Sequence, residues 1–372
     1  MPAVTDVITS LAERVRAAAA AATPLRICGG GSKDFYGQSL QGELLDTAPL
    51  SGVLSYEPSE LVVTVGAGTR LAELEALLAA QGQCLPFEPP HFGDGDARAT
   101  VGGMVASGLS GPARASAGAV RDYVLGLKLI NGRGEVLTFG GQVMKNVAGY
   151  DVSRLMVGAM GTLGLLTELS LKVLPVAPLE ATLRFECGQA QALNWLHAWG
   201  GRPLPLNASY WAEHAGVGTL CLRLRGARAA VEAACKTLGG ERTDGLQAAA
   251  DWQACRDQQL PWFRQRGDTQ DLWRLSVPQT TPVLDLPEPP LMEWHGGQRW
   301  VRADAGQAQQ LRDMAAGAGG HATLFIAGCV RGTAVTPRFD ALKPPLDRIH
   351  RELKREFDPA GIFNRGRMSA DW

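Results

Sequence analysis

The sequence has no excess of either charge and no long basic run. Its 372 residues include 36 lysines and arginines against 37 aspartates and glutamates, which gives a formal net charge of −1 at pH 7. A nucleic-acid-binding surface needs a concentration of positive charge that neutralises phosphates. Nucleic acid is therefore not expected to be the main partner of this chain.

Cysteines are few, odd in number and far apart. No two of them stand in a C-x-x-C arrangement, the common spacing of zinc and iron–sulfur ligands. We expect neither a disulfide framework nor a metal site, and we predict reduced thiols in the cytoplasm. The seven cysteines are Cys28, Cys84, Cys187, Cys221, Cys235, Cys255 and Cys329.

Long apolar runs and several catalytic motifs are also missing. No apolar run approaches the roughly 18 residues of a membrane-spanning helix, and Asp6, Glu13 and Arg14 argue against a secretory signal. The sequence contains no P-loop, no serine-hydrolase elbow and no zincin motif. A cofactor enzyme remains, in which a bound group supplies the chemistry.

Glycine is abundant in the middle of the chain. Fourteen of the seventy residues from 99 to 168 are glycine, against 45 of 372 in the whole chain. The pair Gly102-Gly103 and the spaced glycines between 158 and 164 leave a wall without side chains. Such a wall can lie against a flat ligand and offer it backbone N–H groups. We therefore predict a site for a dinucleotide with an aromatic ring system.

A glycine loop follows the first predicted strand, residues 25–28. Successive glycines in Gly29-Gly30-Gly31-Ser32 can turn several N–H groups to one side and form an anion nest for a pyrophosphate. No helical period follows, so the amides of the loop, rather than a helix dipole, would bind the phosphate. A plain glycine turn is the alternative, and the local sequence does not decide between the two.

A second glycine pair, Gly66 and Gly68, follows a strand predicted at residues 61–65. It resembles the start of a dinucleotide-binding fingerprint, but Leu71 stands where that fingerprint needs glycine or alanine. We interpret the pair as structural, with Thr69 capping the helix that follows.

Apolar alternation predicts the remaining elements. Strands are predicted at residues 123–130 and 135–139, with Asn131-Gly132 supplying the positive φ of a tight hairpin. A strand at 163–174 ends at Pro175. The elements predicted after it are strands at 181–187, 219–225, 272–277, 299–302 and 323–327, helices at 189–199, 227–238, 247–260 and 307–316, and a charged helix at 339–357.

Several motifs occur in one order along the chain and together resemble a known family. They are Gly29-Gly30-Gly31-Ser32, Thr100-Val101-Gly102-Gly103, Gly118-Ala119-Val120-Arg121-Asp122 and Gly161-Thr162-Leu163-Gly164. This set resembles the PCMH-type FAD-binding domain of the vanillyl-alcohol-oxidase family. The stretches at residues 85–90, 108–112, 139–151 and 357–364 are similar to the FAD-binding subunits of bacterial glycolate oxidases.

The resemblance implies an α+β fold in three parts. Residues 1–178 would form the PCMH-type FAD-binding domain, built from two α/β subdomains that meet near residue 57. Residues 179–336 would form a smaller α+β cap domain. Residues 337–372 would form a C-terminal helix and a tail that returns to the FAD domain.

The resemblance also implies which residues bind FAD. The glycine loop would hold the pyrophosphate through N–H groups, Val120 and Leu165 would contact the adenine half through their main chain, and Asn364 would return to the flavin. The implied FAD-binding residues are Gly29, Gly30, Gly31, Ser32, Thr100, Gly102, Gly103, Ser107, Gly108, Gly118, Val120, Leu165 and Asn364.

The chain departs from its relatives at three places. Relatives often tether FAD through a histidine beside the glycine loop, whereas Lys33 follows the loop here, so the FAD is expected to be non-covalent. Larger relatives carry a histidine–glycine–aspartate motif in the cap, whereas alanine and threonine follow His321 here. Catalytic residues therefore stay unassigned, with His321 and Arg331 as candidates. Arg365 stands where relatives often have proline after Asn364.

For function, the resemblance implies an FAD-dependent oxidoreductase subunit acting on a small 2-hydroxy acid such as glycolate or D-lactate. Its partners would be a larger FAD-containing catalytic subunit and an iron–sulfur subunit, in the cytoplasm, with contact to the inner membrane only through those partners. The alternatives are a non-catalytic FAD-carrying or electron-transfer subunit and a nicotinamide-dependent flavin reductase. We expect Gly30→Val to abolish FAD binding without unfolding the second domain, because Gly30 is predicted to have a left-handed backbone and because a branched side chain would block the phosphate.

Overall fold

The protein is described here from a computed structural model of residues 4–93, 98–141, 151–329 and 336–370. Within these residues the chain forms a mixed α/β structure around two antiparallel sheets, one of five strands and one of eight. A small parallel pair of strands lies beside the five-stranded sheet. The predicted α+β fold class is confirmed, while the position at which the chain divides into domains stays a prediction.

The parallel pair carries the predicted glycine loop. Helix α1 (Val4–Ala20) packs on strands β1 (Leu25–Cys28) and β2 (Glu43–Asp46), which run parallel to each other. Leu11 and Val15 are buried on the inner face of α1 because they recur at helical spacing. Leu25 also bridges to Phe363 near the C-terminus. The tail therefore contributes to the small sheet from which the loop begins.

The five-stranded sheet forms the centre of the first half of the chain. Its strands lie in the order β3-β4-β8-β6-β7, all antiparallel, while β5 pairs separately with β9. The elements of this part are β3 (Val53–Glu57), β4 (Val62–Gly66), α2 (Leu71–Ala80), β5 (Gln83–Cys84), α3 (Val101–Ser107), α4 (Arg114–Ala117), β6 (Val124–Ile130), β7 (Val136–Gly140), α5 (Val152–Leu155), β8 (Leu165–Lys172) and β9 (Leu174–Pro175).

Two turns in this half differ from the prediction. Arg70, not Thr69, is the N-cap of α2, and its side chain makes no cap hydrogen bond. The Thr69 hydroxyl instead lies against the backbone of Gly52. In the β6–β7 connection, Gly134 has the positive φ, at 71°. The side chain of Asn131 shapes this turn, since its Oδ1 accepts from the N–H groups of residues 133 and 135.

The eight-stranded sheet dominates the second half. Its strands lie in the order β13-β10-β12-β11-β15-β16-β14-β17, and neighbouring strands are antiparallel throughout. The elements are β10 (Leu179–Glu186), α6 (Gln189–Gly200), β11 (Leu206–His214), β12 (Val217–Gly226), α7 (Arg228–Leu238), β13 (Glu241–Arg242), α8 (Gly245–Arg256), α9 (Pro261–Arg264), β14 (Asp271–Ser276), β15 (Leu291–Glu293), β16 (Gln298–Ala303), α10 (Ala308–Gly317) and β17 (His321–Ile326).

Sequence patterns located most of these elements but missed strands β11, β13 and β15. In β11, Asn207 and Ser209 interrupt the apolar pattern, and Ser209 is buried because its hydroxyl binds His295. The charged C-terminal helix was predicted too long. Helix α11 (Leu346–Phe357) begins only after Pro344 and Pro345, because proline removes a donor and disfavours helix at the residue before it.

The proline-rich loop at residues 85–90 joins the two halves. Both oxygens of the Glu88 carboxylate accept from Nη2 of Arg223 on β12, at 2.6 and 2.7 Å, and Arg223 is buried. Nearby, the indole of Trp294 donates to the carbonyl of Gly111 at 3.0 Å. The eight-stranded sheet is thus attached to the first half through buried polar contacts.

Candidate cofactor groove

A long groove lies where the glycine loop, helix α3, the glycines before β8 and the C-terminal tail meet. Its empty volume, open mouth included, is about 770 Å³. The groove is lined by Ile27, Cys28, Gly29, Gly30, Gly31, Ser32, Lys33, Asp34, Leu40, Thr47, Ala67, Thr100, Gly102, Gly103, Ala106, Ser107, Met160, Gly161, Gly164, Leu166, Asn364 and Arg367.

The glycine loop presents unpaired donors to this groove. Among the residues that the structure describes, none accepts a hydrogen bond from the backbone N–H groups of residues 29 to 33. Gly31 has a φ of 70°, a left-handed conformation that helps turn successive amides to one side. Free amides in a concave wall fit an anionic group such as a pyrophosphate, which favours the nest over the plain glycine turn.

The predicted left-handed backbone at Gly30 is wrong, but the position still has no room for a side chain. Its φ is not in the left-handed region; the left-handed residue is Gly31. A Cβ atom at Gly30 would instead lie 1.5 Å from the carbonyl oxygen of Arg98, and one at Gly29 would lie 2.4 Å from Oγ1 of Thr100. The loop is therefore packed against backbone that leaves no room for a side chain.

Helix α3 forms a smooth wall rather than a row of free donors. Thr100 is its N-cap and accepts from the N–H of Gly103 at 3.2 Å. The N–H of Gly102 donates to the carbonyl of Ala67 at 2.7 Å. Because these amides are already used, we infer that Gly102 and Gly103 contribute close approach to the ligand and that the glycine loop contributes the N–H groups.

Asn364 ties the two sides of the groove together. Its Oδ1 accepts from the N–H of Ile27 at 2.8 Å, and its Nδ2 donates to the carbonyl of Met160 at 2.7 Å. Its own N–H donates to the carbonyl of Leu25, and its φ is 40°. Asn364 therefore fixes the spacing between strand β1 and the glycines before β8, whatever residue follows it.

Charged side chains surround the far end of the glycine loop. Arg367 is buried and donates to the carbonyls of Gln38, Lys33 and Asp34, so the tail also clamps this end of the loop. Burial lowers the pKa of the Arg367 guanidinium to about 10. Burial also lowers the pKa of the Lys33 ammonium to about 8, although Asp257 partly opposes that shift.

A buried ion pair holds the tail in place. Nζ of Lys354 lies 2.7 Å from Oδ2 of Asp358 and also donates to the carbonyls of Thr162 and Phe363. Oδ1 of Asp358 accepts from the N–H of Ile362, and Oδ2 accepts from the N–H of Phe363. Asn364 follows directly after Phe363, whose carbonyl and N–H both bind this ion pair, so the ion pair supports the groove from behind.

Nine of the thirteen predicted FAD-binding residues line the groove, and the other four are not among its lining residues. Gly108 ends α3 with a φ of 63°, Gly118 ends α4 with a φ of 99°, and Val120 and Leu165 are fully buried. Gly164 and Leu166, on either side of Leu165, do line the groove. The cofactor contacts proposed for all thirteen residues stay predictions.

Of the two catalytic candidates, only His321 is among the described residues, and it does not line the groove. His321 is the first residue of β17, and partial burial of its ring, together with the positive charge of the nearby Arg274, lowers its pKa. Arg331 lies outside the described residues, as do residues 142–150 of the predicted glycolate-oxidase-like stretch. Sequence reasoning did not predict that Arg367, Lys33 and Thr47 line the groove. Of these three, only Lys33 had a signal in the sequence, its position directly after the glycine loop.

Comparison with known proteins gives consistent results. The model of a family described as an FAD binding domain matches residues 6–140. Glycolate oxidase subunit GlcE of Escherichia coli (strain K12) is 45% identical over 366 residues, covering 98% of each chain. D-lactate dehydrogenase of Anaerostipes hadrus is 35% identical over 134 residues, 36% of this chain and 27% of that protein. In fold, alkyldihydroxyacetonephosphate synthase is similar with a TM-score of 0.63 at 15% identity, covering 95% of this chain and 74% of the other.

Proposed function

The chain belongs to the family of FAD-binding glycolate oxidase subunits, and from this premise we propose that it is the FAD-carrying subunit of a complex that oxidises glycolate or a related 2-hydroxy acid. FAD is its cofactor, as the family match indicates. D-lactate is the second candidate substrate, since the FAD-binding half is similar to that of a D-lactate dehydrogenase. The proposal rests on one observation above all, the groove with its row of free amides.

The groove residues fit FAD by their chemistry. The N–H groups of residues 29 to 33 suit the two charges of a pyrophosphate, and the side-chain-free wall at Gly102 and Gly103 suits a flat ring system. When bound, FAD would accept the two electrons that leave a 2-hydroxy acid as it becomes a 2-oxo acid. The residues of the groove would hold and orient the FAD. The group that takes the proton from the hydroxyl of the acid is not identified among them.

The partners remain part of the proposal. We propose a larger FAD-containing subunit and an iron–sulfur subunit, the latter to carry electrons onward from the flavin. Within the described residues, no helix is long and apolar enough to cross a membrane. We place the protein in the cytoplasm, with contact to the inner membrane only through those subunits.

We predict that FAD is bound without a covalent bond. No histidine is among the residues that line the groove, and the ring of His91, near the glycine loop, is already paired with Glu75 at 2.9 Å. Precipitating the purified yellow protein with acid should leave all flavin in the supernatant. Flavin that stays with the denatured pellet would contradict this prediction.

The proposed activity is tested by flavin bleaching without oxygen. Glycolate or D-lactate, mixed anaerobically with the complex purified from its host, should reduce the flavin within minutes, whereas acetate, which has no hydroxyl group to oxidise, should not. A complex whose flavins stay oxidised with both acids would refute the proposal.

The same experiment on the isolated chain separates the alternative function. A carrier subunit would hold FAD but would not be bleached by either acid on its own. Two observations favour this alternative. The cap lacks the histidine–glycine–aspartate motif at His321, and His321 does not line the groove. Bleaching of the isolated chain by glycolate would exclude the carrier function.

A further inference from the structure

A second, smaller cavity lies between the two halves of the chain. Its empty volume, open mouth included, is about 310 Å³. Phe92, Leu109 and Ser110 line it from the first half, and Arg274 and Trp300 line it from the eight-stranded sheet. Phe92 also faces the ammonium of Lys33 at 5.7 Å, and Lys33 lines the cofactor groove. The second cavity is therefore adjacent to the groove through this pair of side chains.

Arg274 is an incompletely paired cation in this cavity. Its Nη2 donates to the hydroxyl of Tyr36 at 3.2 Å, and its guanidinium lies over the rings of Tyr36 and Phe325. Its Nε is buried and has no acceptor. In the described part of the chain, no carboxylate lies within ion-pair distance of Arg274, although buried donors are normally satisfied. The two rings hold the guanidinium in one orientation, and the Glu293 carboxylate interacts with its charge only from beyond ion-pair distance.

Glu293, the acidic residue that lines the cavity, is hydrogen-bonded to groups other than Arg274. Glu293 is buried, and its carboxylate accepts from the thiol of Cys255, the amide of Gln298 and the indole of Trp300. It is not within ion-pair distance of Arg274 and cannot turn toward it without breaking these bonds. The other arginine of the cavity, Arg256, is already paired with Asp257 at 2.7 Å.

Besides the unpaired Nε of Arg274, the residues that line the cavity include an unpaired acceptor, Oε1 of Gln298. Nε2 of Gln298 is committed to Glu293, which fixes the orientation of the amide, and Oε1 is left buried without a donor. Phe92, Trp300 and Leu109 supply apolar walls between these polar groups. The cavity thus offers one unpaired cation for a carboxylate and one unpaired acceptor suited to a hydroxyl group.

We propose that Arg274 binds the carboxylate of a small 2-hydroxy monocarboxylic acid, so that this subunit has a substrate site of its own. The proposal deepens the proposed function and rests on it for the identity of the acid. One available guanidinium selects acids with one carboxylate. A planar guanidinium can bind that carboxylate through two parallel hydrogen bonds, as in arginine–carboxylate pairs.

The test measures binding and not turnover. Oxamate is a suitable probe, because it is a small monocarboxylate with an N–H donor in place of the hydroxyl and no hydrogen on carbon to transfer. We expect the full-length, FAD-loaded chain to bind oxamate in a calorimetric titration. Arg274→Gln should weaken oxamate binding about tenfold or more. Arg274→Lys keeps the positive charge but loses the two parallel N–H donors of the guanidinium, so it should weaken oxamate binding less.

The matched control is Arg184→Gln, at an exposed position of strand β10 in the same sheet and outside the cavity. It should leave oxamate affinity and FAD content unchanged. Flavin content and far-UV circular dichroism report whether each variant has folded. Should Arg274→Gln not fold, Tyr36→Phe removes the hydroxyl that accepts from Arg274 and helps to hold its guanidinium in place, and it should weaken oxamate binding by a smaller factor.

The outcomes separate this inference from the proposed function. Equal oxamate affinity in wild type and Arg274→Gln, or no binding to the wild type, overturns the Arg274 site even if the complex oxidises glycolate. Malonate binding as tightly as oxamate contradicts the single-carboxylate class. Oxamate binding that depends on Arg274 supports the site even if no flavin of the complex is reduced by glycolate, which would refute only the proposed function.

Discussion

Gly30→Val is expected to purify without FAD. A Cβ atom at this position would lie 1.5 Å from the carbonyl oxygen of Arg98, so the glycine loop would have to move away from the backbone behind it. Overpacking of this kind usually costs about 1–3 kcal/mol, or roughly 5–150-fold in affinity, before the loss of aligned amides is counted. Flavin absorbance of the purified variant, and titration of the apoprotein with FAD, measure the effect.

The matched control is Gly188→Val. No heavy atom lies within 4 Å of a Cβ built on Gly188, and its φ of −68° is open to any residue. This variant should keep its full flavin content. If Gly30→Val bound FAD with wild-type affinity, the glycine loop would not be the pyrophosphate site, whatever its free amides suggest.

Asp358→Ala is expected to destabilise the protein severely. It removes the carboxylate that neutralises the buried ammonium of Lys354 and accepts from the N–H groups of Ile362 and Phe363. Removing one partner of a buried ion pair typically costs about 3–5 kcal/mol, because the remaining charge is left without compensation. Urea unfolding monitored by tryptophan fluorescence should show a lower midpoint than wild type.

A surface pair on the same helix provides the control. Asp347 accepts from Arg351 at 2.7 Å, one helical turn apart, just as Asp358 accepts from Lys354. Because the Asp347 pair is exposed to solvent, Asp347→Ala should change the unfolding midpoint little. Equal effects of the two substitutions would contradict the view that the buried pair anchors the tail. Weaker FAD binding by Asp358→Ala would connect that anchor to the groove through Asn364.

Local patterns in the sequence located most of the framework. Strand β1 and the glycine loop after it were found because a short apolar run meets three successive glycines. Helix α2 was found because Leu71, Leu74 and Leu78 recur at helical spacing, and all three are buried. These features depend on backbone preference and periodicity, which neighbouring residues determine among themselves.

Errors arose where distant residues decide a local conformation. Thr69 was assigned to a helix cap, but Gly52, seventeen residues earlier, takes its hydroxyl. Gly132 was predicted to supply the positive φ of the hairpin turn. Its lack of a side chain instead lets Asp358 pack closely against it, since a Cβ there would lie 2.5 Å from Oδ1 of Asp358. No pattern within ten residues of either position contains that information.

The sequence by itself predicted most of the FAD-binding half: strands β1, β4, β6, β7 and β8, the glycine loop and the order of motifs that identifies the family, but not strands β2 and β3. Tertiary structure alone decided what each group is free to do. Folding consumes the amides of α3 and leaves those of residues 29 to 33 unpaired, and it surrounds Glu293 with donors while Arg274 keeps a buried Nε without an acceptor. The physical reason is that hydrogen bonding is competitive. Whether a donor can bind a ligand depends on which acceptors the fold brings to it, and those acceptors come from residues far away in the chain.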